Sequence, residues 1–217
     1  TSNVKHSGNT NNDLWIMNRD GSNKHRINVA PWNQSFPYWS PDGQWIVYTT
    51  WSDAEAPNPG GFTRWHDLWD VVAVAPDEAW AVGSYVPPTI LTSSQPLMLR
   101  WDGDSWDHVP GPIYTGGGSF DGAARIDGEI WVAGTRAAQA PDALFRGNLV
   151  RWNGSDWRDE LLPRFAMCGR FGDQPRAIDG VSTSDVWVVG SAEEGATCGG
   201  FPPTRYVDHY DGSEWRL

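Results

Sequence analysis

The sequence is short of cysteine and of long apolar runs, and each shortage narrows the class of protein. Only two of its 217 residues are Cys, and neither stands in a CxxC pair, so no cysteine metal site is expected. No stretch of eighteen apolar residues occurs, so no membrane-spanning helix is expected. No window carries the i, i+3, i+4, i+7 apolar pattern over a helical length, so a helical fold is not expected either.

Positive charge is also scarce. The chain holds 16 Lys and Arg against 27 Asp and Glu, which gives a formal net charge of −11. Nucleic-acid binding requires a positive surface that neutralises phosphates, so we predict that this protein does not bind nucleic acid. An acidic surface also keeps a Trp-rich chain soluble.

The residues that are abundant indicate many short strands and tight turns. The chain has 15 Trp, 24 Gly and 16 Pro, and aromatic residues make up 13% of it. Aromatic residues favour strands, whereas Gly and Pro favour the turns between them. The composition therefore predicts an all-β fold.

Two short motifs recur three times in the same order. The first motif reads EAWAVGS (78–84), EIWVAGT (129–135) and DVWVVGS (185–191), and the second reads RWDGDSW (100–106), RWNGSDW (151–157) and HYDGSEW (209–215). A run in which about half of the residues are apolar precedes the first motif each time and is the predicted strand A. The first motif is then strand B, which ends near Gly, and the second motif contains the end of strand C, an Asp/Asn-Gly turn and the start of strand D. A short turn joins strands A and B, and a long loop joins strands B and C. Four strands in a repeat of about fifty residues are typical of a β-propeller blade.

The first fifty residues carry a different repeat. NDLWIMNRDGSNKHRI (12–27) and FPYWSPDGQWIVYTT (36–50) resemble TolB-type propeller repeats. The later motifs resemble tandem "DVWAVG…HWDGSSW" propeller repeats of large bacterial surface or secreted proteins, a group without a single known activity. Both resemblances imply an all-β propeller of four-stranded antiparallel blades, with about four to five blades represented and at least one incomplete. The expected divisions are TolB-like blade parts over 1–51, a seam over 52–67, and blades over 68–112, 119–163 and 175–217.

The predicted strands do not group, in chain order, into complete four-stranded blades, so the sequence by itself does not close a propeller ring. Thr1-Ser2 resembles the end of a strand B, the chain starts without Met, and no signal peptide is visible. We therefore expect a single propeller, or a fragment of one, that begins in mid-blade and is completed by missing residues or by another chain. The segment 66–71 is open to three interpretations: a TolB-like strand C, a lone third strand, or the entry to the next strand A.

The predicted topology separates two rims. The A–B and C–D turns are short and share one rim, whereas the B–C loops and D–A links are long and share the other, which we call the long-loop rim. Recognition residues concentrate on long loops held by rigid scaffolds, so we predict the binding surface there. The candidate binding residues on it are Trp32, Trp51, Trp65, Arg64, Tyr85, Tyr114, Arg136, Arg146, Arg170 and Arg205.

Most of the Trp residues belong to the repeat and are expected in the core or in cross-strand pairs. Those in repeat positions are Trp80, Trp131 and Trp187 on strand B, Trp101 and Trp152 on strand C, Trp106, Trp157 and Trp215 on strand D, and Trp15, Trp39, Trp45 and Trp69 in the TolB-like part. Only Trp32, Trp51 and Trp65 fall outside the repeats, and these three could stack on a sugar or on a partner side chain. The alternative is that they cover the mouth of the ring.

The two cysteines fall in long loops on the same rim. Cys168 lies in a D–A link and Cys198 in the last B–C loop. A disulfide between them would close a loop of about thirty residues, for roughly 3 kcal/mol in the chain-entropy estimate, and would favour an oxidising compartment. The alternative is two free thiols.

No catalytic signature stands out. The five His show no HxH or HExxH spacing, and GxSxG is absent. We therefore predict a non-enzymatic binding or scaffold module of a secreted, periplasmic or surface bacterial protein, with no cofactor and no metal, that recognises a protein partner. The alternatives are a lectin-like propeller that binds a glycan through its loop Trp residues, and the propeller part of an enzyme that hydrolyses a glycan or peptide.

Overall fold

Antiparallel strands account for all the regular structure in the part of the chain that is described. The computed structural model describes residues 13–27, 34–40, 42–50, 59, 66–88, 93–137, 145–160, 172–193 and 204–216. Within those ranges there is no helix, and hence none long and apolar enough to cross a membrane. The same residues include no group of three or more His, Cys, Asp or Glu that could hold a metal ion.

The described strands form two hairpins followed by three four-stranded sheets. The hairpins are β1 (Trp15–Ile16) with β2 (His25–Arg26), and β3 (Gln34–Trp39) with β4 (Ile46–Thr50). Blade I comprises β5 (His66–Ala75), β6 (Glu78–Tyr85), β7 (Gln95–Trp101) and β8 (Trp106–His108). Blade II comprises β9 (Gly118–Ile126), β10 (Glu129–Ala137), β11 (Phe145–Trp152) and β12 (Trp157–Glu160). Blade III comprises β13 (Gly172–Ser182), β14 (Asp185–Glu193), β15 (Thr204–Tyr210) and β16 (Trp215–Arg216).

The sheets are arranged around an axis formed by their first strands. Strand β9 contacts both β5 and β13, and the Ala123 N–H of β9 donates to Asp70 Oδ2 of β5 at 2.9 Å. Burial raises the pKa of the Tyr38 phenol on β3, and the charges of Asp179 and Asp70 raise it further, so β3 lies near the first strands of blades I and III. The predicted fold class, a propeller of four-stranded antiparallel blades with at least one incomplete, is confirmed.

The segment 66–71 is the beginning of strand A of blade I. His66 pairs with Tyr85 and Asp67 with Ser84, so β5 extends from His66 to Ala75, with two bulges along its length. Of the three interpretations open from the sequence, the entry to strand A is therefore correct. Strand pairing extends this strand further toward the long-loop rim than its apolar pattern alone indicated.

Each of the three repeated heptads forms the hairpin between strands C and D. The aromatic residues that flank the turn pair directly: Trp101 with Trp106, Trp152 with Trp157, and Tyr210 with Trp215. The turn Gly has a φ of 102°, 99° or 91°, a backbone conformation that favours glycine. The Asp or Asn before it accepts backbone N–H bonds from the residues two and three positions later, at 2.8–3.0 Å. The hairpin assignment made from the sequence is confirmed.

The first repeated motif builds a stack on each blade. The Trp of the motif lies opposite the residue that precedes the aromatic at the end of strand C. On blades I and II that residue is an Arg whose guanidinium lies over the ring, Arg100 over Trp80 and Arg151 over Trp131. On blade III it is His209, whose ring stacks on that of Trp187 with 4.0 Å between the ring centroids. The acid that opens the motif joins the stack: Asp185 Oδ1 accepts from Trp187 Nε1 and bonds His209 Nε2, both at 2.8 Å. His209 therefore takes the place of the Arg of the other blades, as the sequence indicated.

The apolar core lies between consecutive blades. Trp80, Val82 and Met98 of blade I pack against Phe120 and Val132 of blade II, and all five are at most 4% exposed. Blade II repeats this arrangement against blade III, with residues from both blades in one cluster. Blade II therefore buries one face against blade I and the other face against blade III.

At the two ends of the described array these faces are exposed, so three Trp residues at repeat positions are not buried in the core. On blade III, Trp187, Val189 and Val207 are 46%, 40% and 51% exposed, although the same positions are buried on blades I and II. In the second hairpin, Trp39 and Trp45 are 47% and 58% exposed. Trp39, Trp45 and Trp187 were expected in the core or in cross-strand pairs. Trp187 pairs with His209 and Trp39 with Ile46, whereas Trp45 lies just outside β4, and none of the three is buried.

A bulge in strand A explains the glycine near the end of strand B. The register shifts at Asp121 in β9, and the facing Gly134 lies so close that an added Cβ would stand 2.0 Å from the Ser119 carbonyl oxygen. Gly83 and Gly190 face equivalent bulges, with 1.8 Å and 2.4 Å to the carbonyl oxygens opposite. A Cβ at any of these three positions would collide with the carbonyl oxygen across the bulge, so only Gly fits there.

One repeat position provides a matched pair of stability tests. Val82 and Val189 occupy the same place on blades I and III, but Val82 is fully buried and Val189 is 40% exposed. We expect Val82→Asp to lower the free energy of unfolding by about 3 kcal/mol or more, because it buries an unpaired charge. Val189→Asp should cost less than about 1 kcal/mol. Urea denaturation followed by Trp fluorescence measures both values, and equal losses would contradict the exposure of the blade III face.

Candidate functional site

Buried polar side chains gather at the long-loop rim. In the described ranges nine polar or charged residues are buried, and six of them lie within three residues of the strand end at that rim: Gln34, Ser84, Gln95, Ser119, Asp121 and Asn148. A buried polar group is costly unless it is hydrogen-bonded, so such a concentration needs a reason. The contacts below show that several of these side chains hold one D–A link in place.

That link is residues 109–117, between blades I and II, which we call the Tyr114 loop. Gln95, 2% exposed, clamps its middle: Gln95 Nε2 donates to the Tyr114 carbonyl oxygen and Gln95 Oε1 accepts from the Tyr114 N–H, both at 2.9 Å. Trp157 Nε1 donates to the Pro110 carbonyl oxygen at 2.8 Å. The Ala137 N–H donates to the Gly117 carbonyl oxygen at 2.8 Å. The loop is therefore fixed by both blades it connects.

Glycines allow the end of the loop to pass close to blade I. Gly117 has a φ of 93°, and a Cβ on it would lie 2.8 Å from the Ser94 carbonyl oxygen. The next residue, Gly118, donates its N–H to that same oxygen at 2.8 Å. The GGGSF stretch (116–120) is thus bonded to blade I and enters strand β9.

The Tyr114 side chain is the centre of the site. Its hydroxyl accepts a hydrogen bond from Asn148 Nδ2 at 2.6 Å, and Asn148 is 3% exposed. The Arg136 guanidinium lies over the ring, 5.8 Å from its centroid, and forms a 3.5 Å ion pair with Asp159. Burial raises the pKa of Tyr114 to about 12, against the lowering effects of Asn148 and Arg136. The phenol is therefore a neutral hydrogen-bonding group at physiological pH.

A second polar group lies nearer the axis, between blades II and III. Asp121 and Arg176, the bulge residues of two successive strand A segments, form an ion pair at 2.6 Å. Ser119 Oγ also donates to Asp121, at 2.6 Å. Burial raises the pKa of Asp121, while Ser119 and Arg176 act in the opposite direction. This carboxyl group has both oxygens engaged, and it joins the two blades.

Asp70, a half-buried carboxylate of the inner strands, also has a structural role. It accepts backbone N–H bonds from Val71 and from Ala123, both at 2.9 Å. Burial raises the pKa of Asp70, and these two bonds oppose the increase. The group fastens blade I to blade II.

Of the residues singled out from the sequence, two are brought into contact at this site, Tyr114 and Arg136. Tyr85 lies next to it, opposite Gln95 in the sheet, with its ring 5.7 Å from that of His108. Arg205 is exposed on strand C of blade III, opposite Ser191.

Arg146 lies opposite Arg136 in β11, but its side chain is not described. The remaining residues that the sequence singled out lie outside the described ranges, so their roles and the disulfide stay predictions: Trp32, Trp51, Trp65, Arg64, Arg170, Cys168 and Cys198.

Sequence reasoning missed Gln95, Asn148 and Ile113. Asn148 could have been found, because the strand pairing aligns it with Leu97 and Tyr206, both of which are buried in the core. A polar residue at a repeat position that is otherwise in the core indicates that its side chain has a specific hydrogen-bond partner, because an unpaired buried polar group is costly. Gln95 gave a weaker signal, as the polar first residue of an otherwise apolar strand.

Comparisons with known proteins find similar solved structures but no matching protein family. No family model matches the sequence, and no curated protein matches it. Among solved structures, "YCF48 bound to D1 peptide" is similar at 12% identity with a TM-score of 0.47, over 88% of this chain and 43% of that chain. A thermostable family-43 glycoside hydrolase is similar at 11% identity with a TM-score of 0.46, over 83% of this chain and 72% of that chain. The chain thus spans less than half the length of the first of these proteins.

The raised pKa of Tyr114 predicts how stability depends on pH. The value rises from 10.0 to about 12 on folding, so the folded state favours the neutral phenol. The stabilisation is complete below the unfolded pKa and is lost as pH rises through the folded one. Wild-type protein should therefore lose more stability between about pH 10 and 12 than Tyr114→Phe does. Urea titrations at several pH values measure this, and parallel curves for the two proteins would contradict the buried position of the hydroxyl.

Proposed function

We propose that this protein is a non-enzymatic binding module that recognises a protein partner through the long-loop rim. We further propose that it belongs to a secreted, periplasmic or surface bacterial protein. The observation that carries the binding role is Ile113, which is 77% exposed on a loop fixed at several points. Burying such a side chain against a partner is favourable, and the fixed loop loses little conformational freedom on binding.

The position of Ile113 sets it apart from other exposed apolar side chains. Ten large hydrophobic residues are exposed within the described ranges. Nine belong to the N-terminal hairpins with their flanks or to blade III, and Ile113 lies between two complete blades. The other nine thus lie in the outer parts of the described array, whereas Ile113 lies between two complete blades and is still 77% exposed.

The surroundings of Ile113 have the composition of a recognition surface. An apolar anchor next to polar groups with fixed positions is the usual arrangement at the centre of a protein interface. Here Tyr114 follows directly in the chain, and Arg136 lies over its ring. Tyr and Arg are enriched among the residues that contribute most to binding.

The test is to select peptides from a random display library on the full chain and to apply the same protein to a glycan array. We expect selected peptides to bind the wild type, and Ile113→Asp to weaken them by about tenfold or more. Val181→Asp is the matched control, because Val181 is an aliphatic residue that is 83% exposed on blade III, near the short turns. Its binding should equal that of the wild type.

Three outcomes would contradict the proposal. Glycans could bind while no peptide does, which would favour the lectin-like alternative that rests on Trp32, Trp51 and Trp65. Peptides could bind equally well to the Ile113→Asp variant, which would place recognition elsewhere. Turnover of a bound glycan or peptide, abolished by a single carboxylate substitution, would indicate an enzyme.

A further inference from the structure

The hydroxyl of Tyr114 has a proton to donate. A phenol oxygen carries one O–H donor and can accept two bonds. Asn148 Nδ2 donates to this oxygen at 2.6 Å, so the bond between them leaves the Tyr114 proton unused. No described residue accepts a hydrogen bond from it. The raised pKa of Tyr114, caused chiefly by burial, keeps that proton in place at physiological pH.

Arg136 supplies a second set of donors at the same place. Its guanidinium lies over the Tyr114 ring, and its side chain is 39% exposed. A guanidinium has five N–H donors and matches the two oxygens of a carboxylate. The ring beneath holds the guanidinium by a cation–π contact. The guanidinium also hydrogen-bonds the Tyr114 hydroxyl and pairs with Asp159, and these two contacts do not use all five of its donors. Tyr114 and Arg136 therefore present hydrogen-bond donors at the rim, and Ile113 directly precedes Tyr114 in the chain.

Asp159 indicates which chemical group these donors attract. Its carboxylate forms an ion pair with Arg136 at 3.5 Å, and its negative charge adds to the effect of burial on the pKa of Tyr114. The Asp159 side chain is 64% exposed, and a long contact between exposed charges is weak. A carboxylate from a partner could make shorter bonds and displace it.

We propose that the Tyr114 hydroxyl and the Arg136 guanidinium bind a carboxylate of the partner, next to an apolar group that contacts Ile113. This rests on the proposed function, and it specifies the partner segment. The segment carries a carboxylate adjacent to an aliphatic side chain, such as an apolar residue at a free C-terminus. Hydrogen bonds to a charged group are stronger than those between neutral groups, so the carboxylate contributes both affinity and orientation.

The probes are N-acetyl-leucine and N-acetyl-leucinamide, which differ only in whether the carboxylate is present. Each is titrated into ¹⁵N-labelled full chain, and the Arg136 Nε–Hε and Gly117 N–H signals are followed by NMR. We expect N-acetyl-leucine to shift both signals in a saturable manner, and N-acetyl-leucinamide to bind about tenfold more weakly or not at all. Inorganic phosphate is a third probe and should bind more weakly than N-acetyl-leucine.

Three variants give effects of opposite sign. Tyr114→Phe removes one hydroxyl and should weaken N-acetyl-leucine binding by about tenfold, and Arg136→Gln should weaken it at least as much. Asp159→Asn removes the competing carboxylate and should strengthen binding by about two- to threefold. Arg125→Gln is the control: Arg125 is exposed at the far end of β9, toward the short turns, and its loss should change nothing.

Several results would overturn the proposal. These are equal binding of the two leucine probes, unchanged binding by Tyr114→Phe, weaker binding by Asp159→Asn, tighter binding of phosphate, or no saturable shift with any probe. Equal binding of the two leucine probes, lost in Ile113→Asp, would refute the carboxylate while leaving the proposed function intact. Failure of the peptide selection itself would instead refute the proposed function.

Discussion

Each blade of this protein has two apolar faces, and a four-stranded sheet cannot cover either of them by itself. The faces are buried by the preceding and following blades, so the stability of one blade depends on its neighbours. Val82 and Ala133 are fully buried for this reason, whereas Val189, at the same repeat position, is 40% exposed. The inner strands approach so closely that a Cβ on Gly122 would lie 2.8 Å from Ala177 Cα. Small residues in the first strands follow from this constraint.

The same close packing determines where polar groups can be buried. The apolar positions between blades are filled, and the buried polar residues lie mostly at the strand ends near the long-loop rim. There, Gln95 and Asn148 bond to the Tyr114 loop, and Asp121 bonds to Arg176 of the next blade. The blades thus supply a fixed support for the loop between them. Tyr114 and Arg136 are presented on this support, and the proposed binding role depends on its rigidity.

The strand register could be predicted from the sequence, because its signals are local. An Asp/Asn-Gly turn between paired aromatics specifies a hairpin wherever it occurs, and the turns at Gly103, Gly154 and Gly212 follow this rule. Exposure could not be predicted in the same way. Trp187 has the local sequence of the buried Trp80, and only the absence of a described strand over it makes the two differ.

The positions of the candidate residues could be predicted in part, for a related reason. Loop length and topology place Tyr114 and Arg136 at the long-loop rim, but they do not show that the two side chains meet. That contact depends on Asn148 and Gln95, which come from strand C of different blades and bond to a link distant in the sequence. Bonds between strand residues and a distant loop leave no periodic pattern. Their best signal is a polar residue where the repeat expects an apolar one.

Amide hydrogen exchange of the free protein tests most directly whether the Tyr114 loop is already fixed before any partner binds. The N–H groups of Tyr114, Gly118 and Ala137 donate to Gln95 Oε1 and to the carbonyl oxygens of Ser94 and Gly117. If these bonds persist in solution, the three amides should exchange at least about 100-fold more slowly than in an unstructured peptide. Exchange at the rate of an unstructured peptide would contradict the account.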